Sequence, residues 1–247
     1  MNQAYDTLKK LGLRVSLDPR VQCLLGLGSM SETSRMDEFS DMDFFLIVDQ
    51  GAKRSFIDDL DWLVVVPIEY SFRNTVDGYK ALFANGVFAE FAVFKPGEMA
   101  HIGFTKGNII YARPNFDETL VEPRLAPKKA PLDVDYCVNE ALTNLYVGVL
   151  RELRGETSAA MTCIQTHAAN HVMELFEVIY PSLSDLDDPY AVERRIEKKY
   201  EAAREILRGL KPGYDHNLDA ARFALDFLSK HFHPHPAMVK AVAEHLK

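Results

Sequence analysis

The sequence predicts an α+β protein, with a sheet domain in the first half and a helical bundle in the second. Three observations carry this expectation. Up to Arg113, strand-like and helix-like apolar patterns alternate, and the turn-forming pair Asn85-Gly86 separates two strand-like runs. From Arg113 to Leu132 the periodicity fades into RPNFDETLVEPRLAPKKAP, a stretch with four prolines. Beyond it, Val134, Cys137, Ala141, Leu145, Val149 and Leu153 recur every three or four residues, one apolar stripe over about five helical turns. The expected division is a sheet domain at 1–115, a linker at 116–131 and a helical bundle domain at 132–247.

Taken in order, Tyr5, Leu8, Leu11 and Leu13 suggest a short opening helix, and VQCLLGL reads as a strand ending at Gly28. DFFLIVD is a second strand. KRSFIDDLDWLV has helical spacing at Phe56, Leu60 and Leu63, and PIEYSFR is extended, with Pro67 near its start. GYKALFA and VFAEFAVF flank Asn85-Gly86, which suits a two-residue hairpin turn because both residues tolerate positive φ. NIIYARP, after Gly107, is a further strand. In the second half, Gly155 ends the long helix and SAAMTCIQTHAANHVMELFEVIY forms another that stops before Pro181. Asp188-Pro189 opens a third that closes near Gly209, and DAARFALDFLSKHF and PAMVKAVAEHLK complete a bundle of about five helices.

Composition narrows the function classes. The 247 residues include 28 basic and 36 acidic ones, for a net charge of -8, and no basic block is long enough to track a phosphate backbone. Nucleic acid is therefore not the expected main partner. Cys23, Cys137 and Cys163 are scattered among apolar neighbours, which reads as core thiols in a reducing compartment. The first residues lack a signal-like apolar run, and no segment reaches the roughly 18 apolar residues that span a bilayer. The expectation is a cytoplasmic protein without a membrane partner.

The chemistry concentrates in LGSMSETSRMDEFSDMDFFLIVD, Leu27 to Asp49. Side chains alternate along a strand, so Asp41 and Asp43 point one way while Met42 and Phe44 point the other. Two carboxylates about 7 Å apart on one face repel each other unless solvated or neutralised, and Mg²⁺ prefers such hard oxygen ligands. Glu90, in VFAEFAVF, is a third acid amid apolar neighbours. Beside DMDFF it would complete a site able to hold two divalent ions. Gly28 and Ser29 give close backbone approach, free N–H groups and a hydroxyl, which suit a terminal phosphate. Ser31, Thr33, Ser34 and Arg35 add donors in the same loop.

Leu27-Gly28-Ser29, then Asp41-Met42-Asp43-Phe44, then Ala89-Glu90-Phe91 together resemble the signature of the DNA polymerase beta-like nucleotidyltransferase superfamily. The order of parts is most similar to the lincosamide and aminoglycoside antibiotic nucleotidyltransferases, above all the longer lincosamide type. The resemblance implies AMP transfer from ATP to a hydroxyl of a small molecule, with two Mg²⁺ ions. It implies that Asp41 and Asp43 carry both ions, that Glu90 completes the second site, and that Ser29 holds the terminal phosphates, with Gly28 and Arg35 beside it. The lincosamide enzymes carry a further glutamate after the third acid as a base on the acceptor. Gap-free alignment on Glu90 puts His101 there, and a small gap puts Glu98 there instead. A homodimer is a further expectation from the family and from the apolar richness of the bundle helices.

The rival expectations are a nucleotidyltransferase acting on protein or on an RNA end, and a non-catalytic, antitoxin-like relative. His231, His233 and His235, in HFHPHP, read as a surface loop between two helices. His167 and His171 share the i, i+4 spacing of zinc-binding helices, but HAANH lacks the glutamate of the hydrolase motif and reads as packing and polar contacts.

Overall fold

The computed structural model describes residues 2–32, 36–125, 131–184, 188 and 191–246. It divides into two units, Met1–Pro127 and Lys128–Lys247. The boundary falls inside the 116–131 stretch, where Glu118–Val121 forms a 3-10 turn whose Val121 is buried on the sheet unit.

The first unit is a mixed sheet of β1 (Val21–Gly26), β2 (Met42–Val48), β3 (Ile68–Arg73), β4 (Gly78–Phe83), β5 (Phe88–Phe94) and β6 (Asn108–Ala112). Their spatial order is β3-β4-β5-β2-β1-β6. β2 and β5 run parallel, with Met42 opposite Ala89 and Ile47 opposite Phe94, and the other neighbours are antiparallel. On one face Met42, Phe44, Leu46, Val48, Ala89, Phe91 and Val93 pack under helices α1 (Gln3–Val15) and α2 (Lys53–Asp58). Leu8 and Leu11 of α1 are buried there, whereas Leu13 points to solvent at 73 % exposure, so the helical stripe continues through Val15 instead. The opposite face is covered over only part of its area, where Met99, Phe104 and Val121 pack on Cys23, Leu25, Ile47 and Phe94.

The pairing that matters for the site is fixed by aromatic packing. Phe44 and Phe91, next in register after Asp43 and Glu90, stack with centroids 5.0 Å apart, and Trp62 meets both rings edge-on. Burying one such ring is worth about 1.5–3 kcal/mol. Slipping β5 by one residue would move Phe91 to the other face and forfeit that burial.

Two local expectations change in this unit. The Asn85-Gly86 hairpin has a three-residue loop: Phe83 N–H donates to Val87 O at 2.9 Å, and only Gly86 takes positive φ, at 81°. That is a turn closed by a left-handed glycine rather than a two-residue turn. KRSFIDDLDWLV is α-helical only to Asp58, because Asp59 is extended and its Oδ1 accepts Asp61 N–H, a side-chain turn that competes with the helix, and Asp61–Leu63 then forms a 3-10 turn. Trp62 then reaches back to donate to Phe56 O at 2.9 Å.

In the second unit, α3 (Val134–Leu153) starts where Asp133 accepts Tyr136 N–H and ends at Gly155, whose φ of 78° lets Glu156 N–H donate back to Arg151 O. The next helix is not regular. Between α4 (Thr157–Met161) and α5 (Ala169–Glu174), residues Thr162–Ala168 form a π-helix. This segment lies so close to α3 that a Cβ on Gly148 would sit 2.5 Å from Ile164 Cγ1. α6 (Phe176–Ile179) follows. The third expected helix starts partly outside the described residues, at Pro189, and is broken in two. α7 (Ile196–Lys199) and α8 (Ala203–Leu210) are separated at Tyr200, which is extended and buried edge-on against Phe176. α9 (Asn217–His231) and α10 (Pro236–Glu244) close the bundle. Leu142, Leu145, Val149, Ile164, Val172, Phe176 and Leu228 form its centre.

Candidate functional site

Strand alternation and register together build one row of charged side chains. Asp43 of β2 stands directly opposite Glu90 of β5, and Glu90 stands opposite Lys80 of β4. Adjacent strands lie about 4.8 Å apart, so the row Lys80, Glu90, Asp43 crosses three strands on the partly covered face. Asp41 lies just ahead of β2 and is exposed, two residues before Asp43. Sequence reasoning treated Glu90 as an acid among buried neighbours, but it is solvent-exposed because Ala89 and Phe91 turn to the other face. Its carboxylate is held by Lys80 Nζ at 3.2 Å and by Asn74 Nδ2 at 3.0 Å.

The loop after β1 closes on this row. Leu27 N–H donates to Asp43 O at 2.8 Å, and Gly28–Ser31 then forms a 3-10 turn. Gly28 has φ of 53°, and a Cβ there would lie 2.6 Å from Asp43 Oδ2. Both the left-handed backbone and the nearby carboxylate therefore demand glycine. Ser29 Oγ makes one long contact, 3.4 Å to Asp41 O, whereas Ser31 Oγ donates to Gly28 O at 2.7 Å and is spent on the turn. Gly28, Ser29, Asp41, Asp43 and Glu90 thus belong to one neighbourhood. Arg35, with Thr33 and Ser34, lies outside the described residues.

The two alternative bases lie on one turn and differ in their partners. Glu98 is part of the 3-10 turn Pro96–His101, where its Oε2 accepts Lys95 N–H at 2.9 Å and pairs with Lys53 Nζ at 2.7 Å. Lys53 also holds Asp77 at 2.6 Å. Burial alone would raise the Glu98 pKa, but the hydrogen bonds from Lys53 and from Lys95 N–H outweigh it and hold the carboxyl below its ordinary value. Lys53 opens α2, past the C-terminal end of β2, while Asp43 stands at that strand's other end. About 16 Å of strand, at 3.3 Å per residue, separates Asp43 from that C-terminal end. Glu98 is thus held by Lys53 within a capped turn that follows β5. His101 ends the same turn with its side chain exposed. Met99 and Phe104, on either side of it, pack on the face that carries Asp43, and Phe104 meets the Phe45 ring edge-on at 5.7 Å.

Sequence reasoning missed Lys80 and Asn74, although a lysine between Tyr79 and Ala81 in a strand marks a polar face. It also missed an apolar strip. Tyr70, Phe72 and Phe88 are 56 %, 52 % and 39 % exposed. Register puts Phe72 beside Lys80, with Tyr70 and Phe88 beside Leu82. Aromatic side chains thus border the charged row on the open part of the sheet.

Asp41, Asp43 and Glu90 offer only hard carboxylate oxygens in a solvent-accessible row, a donor set that fits Mg²⁺. A cation at Glu90 has to compete with Lys80. Elsewhere, His235 caps α10 by accepting Ala237 N–H, and His231 packs on Phe227 with centroids 4.6 Å apart. Burial and then Lys230 lower the His231 pKa. Among the described residues, no helix is long and apolar enough to cross a membrane.

No protein-family model matches the chain, and no curated protein matches it by sequence. Among solved structures it is similar to an aminoglycoside 6-adenyltransferase from Bacillus subtilis, at 15 % identity and a TM-score of 0.36, over 100 % of this chain and 92 % of that one. It is also similar to a nucleotidyltransferase-like protein from Exiguobacterium sibiricum, at 13 % identity and a TM-score of 0.35, over 98 % of this chain and 78 % of that one. Likeness at this level leaves the function of the chain to be read from its own residues.

Proposed function

We propose that the protein is a Mg²⁺-dependent nucleotidyltransferase that moves AMP from ATP to a hydroxyl of a small molecule. The observation that carries this reading is the register of Asp43 against Glu90, with the Gly28 turn pressed on the Asp43 carboxylate. Asp41, Asp43 and Glu90 would hold a pair of Mg²⁺ ions, which when bound supply neutralisation of the charge on the reacting phosphates. Gly28, Ser29 and Arg35 hold the terminal phosphates of ATP through backbone N–H groups, a hydroxyl and a guanidinium. The acceptor oxygen attacks the α-phosphorus as the bond to the leaving pyrophosphate breaks, so the chain's task is positioning and charge compensation. His101 is the base that takes the acceptor proton. It is preferred to Glu98, whose carboxylate is engaged by two lysines.

The exposed Tyr70 and Phe72 beside Lys80 favour an acceptor with an apolar body as well as a hydroxyl, as lincosamide-like antibiotics have. Incubating the protein with ATP, Mg²⁺ and a panel of hydroxylated antibiotics, followed by mass spectrometry, tests the reading. A mass gain of one AMP names both substrates. Absence of product across the panel, together with no Mg²⁺-dependent ATP binding by calorimetry, removes it.

A further inference from the structure

We infer that the helical unit carries a second, separate metal centre, a zinc site formed by Cys137 of α3 with His171 and Glu174 of α5. Cys137 Sγ lies 3.1 Å from Glu174 Oε2, and His171 Nδ1 lies 3.0 Å from the same oxygen. All three ligand atoms are within 4.8 Å of one another. Zinc bonds of about 2.0–2.3 Å in a tetrahedron place ligand atoms roughly 3.3–3.7 Å apart. The two edges that meet at Glu174 Oε2 therefore need to open by only a few tenths of an ångström to admit the ion.

The donor set selects the metal. A thiolate, an imidazole and a carboxylate suit a borderline-soft ion such as Zn²⁺, and two anionic ligands make the centre neutral with a divalent charge. In the metal-free protein the Cys137 thiol donates to Glu174 Oε2. Binding exchanges that S–H proton for the ion, forming a Zn–S bond and releasing one proton to solvent, while the imidazole proton sits on Nε2 so that Nδ1 can ligate. Cys137 is buried, whereas the side chains of His171 and Glu174 are 21 % and 41 % exposed, which leaves a fourth position to water.

The local fold supports the placement. His171 and Glu174 are one turn apart on α5 and face α3, and the π-helix Thr162–Ala168 ends immediately before them. Such segments occur often at functional sites. The same wide turn separates His171 from His167, which is exposed, so the i, i+4 pair in the sequence is not the pair that meets.

The test uses the full-length protein after chelation, titrated with Co²⁺ and then Zn²⁺. Wild type is expected to bind one Co²⁺ with a thiolate-to-cobalt charge-transfer band, which Zn²⁺ abolishes by displacement, with one proton released per ion. Cys137→Ser loses the band. Glu174→Gln keeps it but binds at least tenfold more weakly. Asp43→Asn retains both band and affinity, which separates this centre from the carboxylate row. Lack of a thiolate band in wild type overturns the inference, as does a band that survives Cys137→Ser, since its sulfur is then Cys23 or Cys163. Should the bundle variants fail to fold, the thermal midpoint of wild type and of Asp43→Asn decides. A rise with Zn²⁺ is expected in both, in Asp43→Asn without a matching rise with Mg²⁺, and a midpoint of Asp43→Asn unmoved by Zn²⁺ overturns the site.

Discussion

Replacing Gly28 by alanine strikes the site without touching a charged group. At φ of 53° an alanine pays the left-handed penalty of about 1–2 kcal/mol. Its Cβ would also lie 2.6 Å from Asp43 Oδ2, a contact relieved only if the carboxylate rotates or the turn shifts. Because the clashing atom ends a side chain, the protein should survive with a stability loss of about 1–3 kcal/mol. The displaced carboxylate should cost far more function, since misplacing a reacting group by about 1 Å can cost roughly a hundredfold in rate. Urea denaturation and the Mg²⁺ dependence of AMP transfer measure the two effects. The same substitution in an Asp43→Ala background isolates the backbone term, because an alanine Cβ there lies an ordinary 3.7 Å from the new methyl. Gly28→Ala should therefore be less destabilising in that background than in wild type. Equal costs in both backgrounds, with unchanged Mg²⁺ dependence in the single variant, would refute the idea that this turn sets the carboxylate.

Further outcomes follow from the same geometry. Asp43→Asn and Glu90→Gln should each abolish Mg²⁺-dependent transfer while circular dichroism and thermal midpoint stay near wild type, and full turnover in either would end the metal assignment. Lys80→Met should alter stability by less than about 1 kcal/mol, because its pair with Glu90 is exposed, yet lower the Mg²⁺ concentration for half-maximal rate by removing a competing cation. His101→Ala should reduce kcat by about 10²–10⁴ with little change in KM for ATP, and an unaltered kcat would remove it as the base. Glu98→Gln should instead leave kcat intact and cost about 1–2 kcal/mol of stability through loss of its bonds to Lys53 and Lys95. The Glu98 pKa is depressed on folding from an ordinary 4.5, so its contribution is complete above that pH and fades as pH falls through the lower folded value. Urea titrations of wild type and Glu98→Gln should accordingly converge below about pH 4.5 and stay parallel above it.

The strands were legible because each writes its burial into a local period of two, and the Asp41/Asp43 alternation follows from that period alone. The parallel pairing of β2 with β5 is not local: it depends on Phe44 stacking on Phe91, a choice made between distant segments. The setting of Glu98 was not legible, because spacing along the chain does not reveal that β5, which leads into its turn, runs parallel to β2. Lys95-Pro96-Gly97-Glu98, with proline at the first position and an acid at the third, was the available signal of a capped turn. The π-helix was hidden because a wide turn keeps nearly the same apolar spacing as an α-helix. Cys137 and Glu174 could not be linked from sequence, since they meet only when two helices pack, although His171 and Glu174 one turn apart were visible.

The parallel alignment of β2 and β5 also bears on how the chain matures. An antiparallel hairpin can close as soon as it is synthesised, but this pair must wait for the intervening α2, β3 and β4 to be laid down. A nascent chain that has emerged only through β2 already holds Asp41 and Asp43, yet presents an apolar strand with an unpaired edge. On that view, the proposed Mg²⁺ site would be a property of the completed sheet and of no shorter segment of it. Its appearance during refolding would time the docking of β5, and chains stalled before that moment would be those most prone to aggregate.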